Sequence, residues 1–266
     1  MSDYPASSGM DIRRPHSARV WNYWLGGKDN YEVDREIGDQ VAEVFPGIVE
    51  VARDQRRFLG RAVSHLAKDA GIRQFLDIGT GLPTADNTHE VAQRAAPAAH
   101  VVYIDNDPLV LTHARALLKS TPEGAAHYIE ADVREPARIL EQTAGLLAFT
   151  RPIALMMLGI MGHVADDAEA VAIVRQLVGA LPSGSHLVLT DGLDTDPAGV
   201  ESMRQYNATG AVPYTLRGPE QIAAFFEDLE LLGPGLVPLN RWRPGGTRAR
   251  KGTEEIPSLC GVARKP

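Results

Sequence analysis

The chain has one cysteine, Cys260, in 266 residues. A disulfide framework within it is therefore excluded. Cys260 stands in the apolar run from Ser258 to Ala263, which marks it as a packing residue rather than a reactive thiol. Long hydrophobic runs are missing too. The longest strongly apolar stretch, Ile153 to Met161, is far shorter than the roughly 20 residues a bilayer span needs. Residues Met1 to Gly9 lack the basic start and apolar centre of a secretory leader. The expectation is a cytoplasmic protein with no membrane as partner. Positive charge is in deficit, with 27 Lys and Arg against 34 Asp and Glu and a net charge of −7. Proteins that track phosphate backbones carry the opposite balance, so no nucleic acid is expected as partner. There is no Gly-x-Ser-x-Gly nucleophile motif. Asp86, His89 and His163 fall at no metal-ligand spacing, and no metal is expected.

What remains is an ordinary globular composition, 44% apolar and 23% charged, sufficient for one large domain. Residues 1–14 are polar and read as a flexible end. From Ser17 the pattern is helical, with Val20, Trp21, Trp24 and Leu25 at helix spacing and Gly26-Gly27 as a stop. Two more helices are expected, Val33 to Val44 and Ile48 to about Ala70, closed by Gly71. Residues 15–72 thus form a helical cap, built as one compact unit with the α/β part that follows.

At Gln74 the period changes. Short apolar runs alternate with helical stretches over residues 73–266, as in βα units on a parallel sheet. Strands are expected at Phe75–Ile78, Val101–Ile104, His127–Ile129, Ile153–Leu158 and His186–Thr190. Between them, Asn87 and Glu90 form a capping box. Asp107 and Pro108 open a helix that should bury Val110, Leu111, Ala114, Leu117 and Leu118. A further helix spans Asp167 to Leu181. Asp194 to Pro213 reads as a long loop or short helices, and Pro219 to Leu232 as a helix. Gly235–Pro238 and Ser258–Arg264 read as a terminal strand pair. Arg241 to Gly252 reads as a mobile, solvated loop despite its arginines.

Three stretches carry chemistry. In Phe75-Leu-Asp77-Ile-Gly79-Thr-Gly81-Leu-Pro83-Thr84 a strand runs into a turn with two glycines, where a ligand can lie against the backbone. A dinucleotide site wants a third glycine where Thr84 stands, and helix-start amides for the pyrophosphate. Pro83 has no N–H, so the nicotinamide dehydrogenase reading is the weaker one. S-adenosylmethionine has no phosphate and suits this turn better, with Asp77 placed to take its ammonium. In Val102-Tyr-Ile-Asp105-Asn106-Asp107-Pro108 an acidic residue ends the second strand and can accept both ribose hydroxyls, while Asp107 reads as a helix cap. In Ile129-Glu-Ala-Asp132-Val133, Asp132 can accept from the adenine amino group or serve as a loop carboxylate. The candidate cofactor set is Asp77, Gly79, Gly81, Thr84, Asp105, Asn106, Asp132 and Val133.

This ordered set resembles the class I S-adenosylmethionine-dependent methyltransferases across about Arg73 to Asp191. A narrower resemblance is to the actinobacterial DUF574 family of S-adenosyl methyltransferases. It rests on Arg19-Val-Trp-Asn22-Tyr-Trp-Leu25-Gly26-Gly27-Lys28-Asp29-Asn30, on Gln74 to Thr84, on Val102 to Pro108, on Trp242-Arg-Pro244 and on the Gly-Val ending at Val262. The resemblance implies a doubly wound, mostly parallel seven-stranded sheet, Rossmann-like, with the last strand antiparallel. It implies S-adenosylmethionine as cofactor; the expected activity is methyl transfer by direct displacement, and an enclosed Trp- and Met-lined cleft suggests a small-molecule acceptor. It names neither the acceptor nor the oligomeric state.

His163, just past the fourth strand, is the candidate general base, or else a hydrogen-bonded loop histidine. The fourth strand lacks an Asn/Asp-Pro-Pro-aromatic motif, so methylation of DNA or amide nitrogen gains no support. Arg19, Asn22, Trp24, Lys28 and Asn30 are candidates for a lid over the cofactor or substrate. The other reading is a solvated helix with two core tryptophans. The chain departs from the family pattern at Met161-Gly162-His163 and at Asp191-Gly192-Leu193. That keeps a rival in view, a non-catalytic binder of S-adenosylmethionine or S-adenosylhomocysteine.

Overall fold

The computed structural model describes residues 13–117, 119–244 and 256–266, without the side chains of 111 and 114–117. The polar segment before residue 13, most of the arginine-rich loop, and the burial expected of Leu111, Ala114, Leu117 and Leu118 lie outside the described residues.

Amphipathic spacing yields three leading helices, α1 (Ser17–Trp24), α2 (Glu32–Val44) and α3 (Ile48–Lys68). Gly26 (φ +79°) and Gly71 (φ +70°) supply the left-handed backbone after α1 and α3, which side chains with a Cβ resist. The chain then alternates through β1 (Gln74–Ile78), α4 (Thr88–Ala95), β2 (His100–Asp105), α5 (Pro108–Leu117), β3 (Ala125–Glu130), α6 (Pro136–Thr143), β4 (Ala154–Leu158), α7 (Asp167–Ala180) and β5 (His186–Gly192). A 3-10 turn at Met161–His163 follows β4. The remaining elements are α8 (Pro197–Asn207), α9 (Pro219–Ala223), β6 (Glu230–Leu231), β7 (Val237–Pro238) and β8 (Ser258–Arg264).

The sheet order is β3-β2-β1-β4-β5-β8-β6, with β7 also paired to β8. Strands β1 to β5 are parallel, and β8 lies antiparallel to β5. The path through the sheet has the expected seven strands, and β7 adds a short eighth. The chain winds outward from β1 to β3, then returns to β4 on the other side of β1. That reversal opens a crevice at the carboxyl ends of β1 and β4, where open α/β sheets bind ligands.

Successive strand residues face opposite sides, and both sides are covered. Phe75, Val101, Tyr103, Ala154 and Met156 pack with α1, α2 and α3. Leu76, Val102, Ile104, Leu155 and Met157 pack with α6 and α7. The leading helices therefore share a core with the sheet. Cys260 is fully buried in that core, and burial pushes its thiol up to about 12.

Three elements differ from the sequence reading. Helix α6 has few apolar residues at helix spacing and was not anticipated. Helix α8 replaces the expected loop or short helices. Its cap is well formed, with Asp196 accepting from Gly199 N at 2.9 Å, but its buried residues are Gly199, Ser202 and Tyr206, too small and polar to show as an apolar stripe. The helix expected to reach Leu232 ends early, because adjacent Phe225 and Phe226 are both buried. An α-helix turns neighbours about 100° apart. The chain instead tightens into a 3-10 turn at 224–226, passes Asp228 at φ +64° and enters β6.

Candidate functional site

The turn after β1 is built on two glycines in the left-handed region, Gly79 at φ +73° and Gly81 at φ +66°. A Cβ on Gly79 would lie 2.6 Å from the Ile160 side chain, whereas one on Gly81 would meet open space. Gly79 N donates to Ile104 O at 2.8 Å, which lays the turn against the end of β2. There Asp105 completes the join. Its Oδ2 accepts from Gly81 N at 2.8 Å and its Oδ1 from Asp107 N at 3.0 Å. These two amides fix the plane of the carboxylate. Each oxygen keeps a second acceptor direction. The glycine turn and the acidic strand tip, 26 residues apart in sequence, thus form one surface on the wall of a single cleft. Burial raises the Asp105 carboxyl above its ordinary range. Asp107 is a cap, its Oδ1 accepting from Leu109 N at 2.9 Å, and His16 Nδ1 lies 3.0 Å from its Oδ2.

Asp77, near the end of β1, is 4% exposed. The Thr88 hydroxyl donates to its Oδ2 at 2.6 Å. Burial pushes its carboxyl up to about 6, against the Thr88 hydrogen bond and the Arg56 charge. Asp132 follows β3 and is more heavily committed than the sequence suggests. It accepts from Arg134 N, Nε and Nη2 at 2.9, 2.8 and 2.6 Å, and from Asn106 Nδ2 at 3.1 Å. The Arg134 hydrogen bonds hold its carboxyl down to about 2. Thr84 N donates to the capping Asn87 Oδ1 at 3.0 Å. Thr84, Asn106, Asp132 and Val133 all lie on the cleft wall.

The lid candidates divide. Asn22 and Trp24 line the cleft, while Arg19, Lys28 and Asn30 do not. Arg19 is buried and paired with Asp34 at 2.9 Å, so its charge clamps α1 to α2. Asn30 Nδ2 donates to Asn22 Oδ1 at 2.9 Å, closing the loop onto itself, and Lys28 is exposed. Charge beside a Gly-Gly turn looks the same in sequence whether it faces a ligand or a partner side chain.

His163 lies on the wall, with Nδ1 2.9 Å from Pro213 O and its ring edge-on to Tyr214. A carbonyl only accepts, so Nδ1 carries the proton and Nε2 is left as an acceptor. Burial lowers the pKa of this ring, which keeps it neutral.

The two departures from the family pattern have local partners. Asp191 is fully buried. It accepts from Arg217 Nη1 at 2.9 Å, Tyr214 OH at 2.7 Å and Gly192 N at 3.0 Å. A Cβ on Gly162 would come 2.2 Å from the Tyr214 ring, so glycine there makes room for that tyrosine. Other wall residues were missed in sequence, among them His16, Gln55, Arg56, Met203 and Tyr206. Gln55 joins α3 to the ends of two strands, donating to Leu158 O at 3.2 Å and accepting from Thr190 Oγ1 at 3.0 Å. The available signal was a glutamine in line with the apolar positions Val51, Ala52, Phe58 and Leu59 of α3.

A parallel sheet in this order, closed by an antiparallel strand and bearing this turn, defines the class I methyltransferase type of α/β fold. The chain belongs to the S-adenosyl methyltransferase family, whose model matches residues 3–266. Its cofactor is accordingly S-adenosylmethionine. A DUF574 family protein from Streptomyces avermitilis is 46% identical, with a TM-score of 0.92 over 96% of this chain and 99% of that one. A candidate methyltransferase from Thermobifida fusca is 41% identical, with a TM-score of 0.90 over 99% of both chains. A SAM-dependent methyltransferase from Anabaena variabilis shares the fold at 15% identity and a TM-score of 0.51, over 94% of this chain and 95% of that one. No curated protein matches the chain. No helix among the described residues is long and apolar enough to cross a membrane.

Proposed function

We propose that the chain transfers a methyl group to a small molecule, with the cofactor lying across the carboxyl ends of β1, β2 and β3. The reading is carried by the Gly81 N to Asp105 Oδ2 hydrogen bond. It ties the open glycine turn to a pre-oriented carboxylate and leaves acceptor directions for two vicinal hydroxyls. Residues Asp105 and Gly81 hold the ribose. Asp77 holds the ammonium, with Gly79 and Thr84 shaping the turn beside it. Asn106, Asp132 and Val133 border the adenine end, where Asp132 must share its oxygens with Arg134. The amides of Gly79, Gly81 and Thr84 are given to Ile104 O, Asp105 and Asn87, and Pro83 has none, which disfavours a pyrophosphate here.

When bound, S-adenosylmethionine supplies a methyl group already activated on a sulfonium. The residues of the chain therefore have to align and enclose rather than activate. Asn22 and Trp24 of α1 cover the cleft and exclude water. His163 Nε2 accepts a proton where the methyl acceptor must lose one.

A crystal soaked with S-adenosylhomocysteine tests the assignment. The expected result is both ribose hydroxyls on the Asp105 carboxylate. A nucleoside lying elsewhere, or none in the cleft, would overturn it. Incubation with labelled S-adenosylmethionine and a metabolite extract separates enzyme from binder: tight binding without methylated product would favour the binder.

A further inference from the structure

We infer that the methyl acceptor is an uncharged aromatic hydroxy compound, seated in an apolar lobe between α1, α3 and α8 with its hydroxyl at His163. The inference rests on the cofactor placement proposed above, because that placement leaves this lobe for the acceptor.

The charge map of the cleft wall is lopsided. Its charged residues are Arg56, Asp77, Asp105, Asp132 and Arg134, with the titratable His16 beside them. Asp77, Asp105, Asp132 and Arg134 come from the β1–β3 side, while Arg56 of α3 and His16 at the start of α1 are turned toward it, His16 lying 3.0 Å from Asp107. Arg56 donates to Ala85 O and Asp86 O, and Arg134 is engaged by Asp132. The rest of the wall comes from α1, Phe45 and the amino end of α3, residues 158–163 with the neutral His163, α8, residues 192–216 and residues 257–258. None of the described wall residues there is charged. Trp21, Leu25, Phe45, Ile48, Met203 and Leu216 give it an apolar and partly aromatic surface. A carboxylate or ammonium carried into this lobe would lose its water without meeting an opposite charge. A buried ion without a partner is strongly disfavoured.

The polar side chains of the lobe are largely committed to the protein. Ser202 donates to Gly199 O at 2.8 Å and Ser258 to Asp191 O at 2.9 Å. Tyr214 donates to Asp191. The Tyr206 hydroxyl is the exception, buried without a hydrogen-bond partner among the described residues. Recognition in the lobe is therefore by shape and ring contact more than by hydrogen bonds, which favours a flat aromatic body.

The reacting group follows from His163. With Nδ1–H given to Pro213 O, Nε2 can take a proton but has none to give. A neutral imidazole can serve as general base to any hydroxyl, but a ring made less basic by burial suits the more acidic phenolic O–H better than an aliphatic alcohol. The acceptor's proton passes to Nε2, leaving an imidazolium. Its oxygen lone pair forms the new C–O bond as the C–S bond breaks, and that bond pair stays on sulfur as a neutral thioether.

The test uses one ring system in three charge states. The full chain, with and without saturating S-adenosylhomocysteine, is titrated at pH 7 with 2-naphthol, 2-naphthoate and 2-naphthylmethylamine, followed by calorimetry. The expected result is 2-naphthol binding at least tenfold more tightly than either charged analogue. Met203→Trp should abolish that binding while leaving S-adenosylhomocysteine affinity within about twofold. With S-adenosylmethionine the product should be the naphthyl methyl ether. His163→Asn should slow its formation by roughly 10²–10⁴-fold, the range for loss of a general base, with the affinity for 2-naphthol retained. Equal or tighter binding of a charged analogue, or 2-naphthol binding that survives Met203→Trp, would overturn the inference. Failure of S-adenosylhomocysteine to bind would instead overturn the cofactor reading, and the titrations without it would still report the preference of the lobe.

Discussion

Replacing Asp77 by asparagine should stabilise the protein and impair it at once. Asp77 is 4% exposed, and burial raises its carboxyl from 3.8 to about 6. At about 1.4 kcal/mol per unit, keeping it ionised in the fold costs up to ~3 kcal/mol. The sign follows from proton binding. Between the unfolded and folded pKa values the native state holds more protons than the unfolded state, so stability falls as pH rises through that window. The penalty is absent below about pH 4 and complete above about 6. Asparagine removes the charge, and its carbonyl can still accept from Thr88. At pH 7 the Asp77→Asn variant should gain about 1–3 kcal/mol, or roughly 3–10 °C in Tm for a chain of this size. At pH 4.5 the gain should shrink below ~1 kcal/mol. The same change removes a partner for the cofactor's ammonium and should weaken S-adenosylhomocysteine binding by about 1.5–3 kcal/mol. Thermal unfolding at the two pH values, with and without S-adenosylhomocysteine, reads both effects. A variant no more stable than the parent at pH 7, or one that binds S-adenosylhomocysteine equally well, would refute the reasoning.

Asp105→Ala should weaken S-adenosylhomocysteine binding by about 1.5–3 kcal/mol, roughly 10- to 150-fold; an unchanged Kd in a calorimetric titration would remove it as the ribose ligand. Arg217→Met should cost about 3–5 kcal/mol of stability in urea unfolding, because it strands the buried Asp191 carboxylate, and a loss under ~1 kcal/mol would show that pair to be dispensable. Gly162→Ala should cost about 1–3 kcal/mol by overpacking, since its Cβ would sit 2.2 Å from the Tyr214 ring. A crystal structure of that variant should show Tyr214 displaced.

The sheet and the glycine-turn side of the cleft were legible because their determinants are local. Phe75 to Ile78 is an apolar run that ends at two glycines, and Asn87 and Glu90 sit three residues apart as a capping box. Asp105 required one longer step, which the parallel pairing of β1 with β2 makes safe: Ile78 stands beside Ile104, so the two strand tips must meet. The side of the cleft around Gly162 and Asp191 was not legible, for the opposite reason. Gly162 and Asp191 look like losses until Tyr214 and Arg217, remote in sequence, fill the space and bind the charge. Arg19 looked like a ligand group because nothing in its own segment shows Asp34 waiting on α2. Gln55 was hard to single out because α3 carries many polar residues, and one more among them resembles any solvated position until the strand ends beneath it are known.

The proposed function requires that the glycine turn and Asp105 cradle a nucleoside without phosphate. Calorimetric titration of the full chain with S-adenosylhomocysteine and, separately, with NAD tests it most directly. One S-adenosylhomocysteine per chain and no heat from NAD is the predicted result; NAD binding in its place would contradict it.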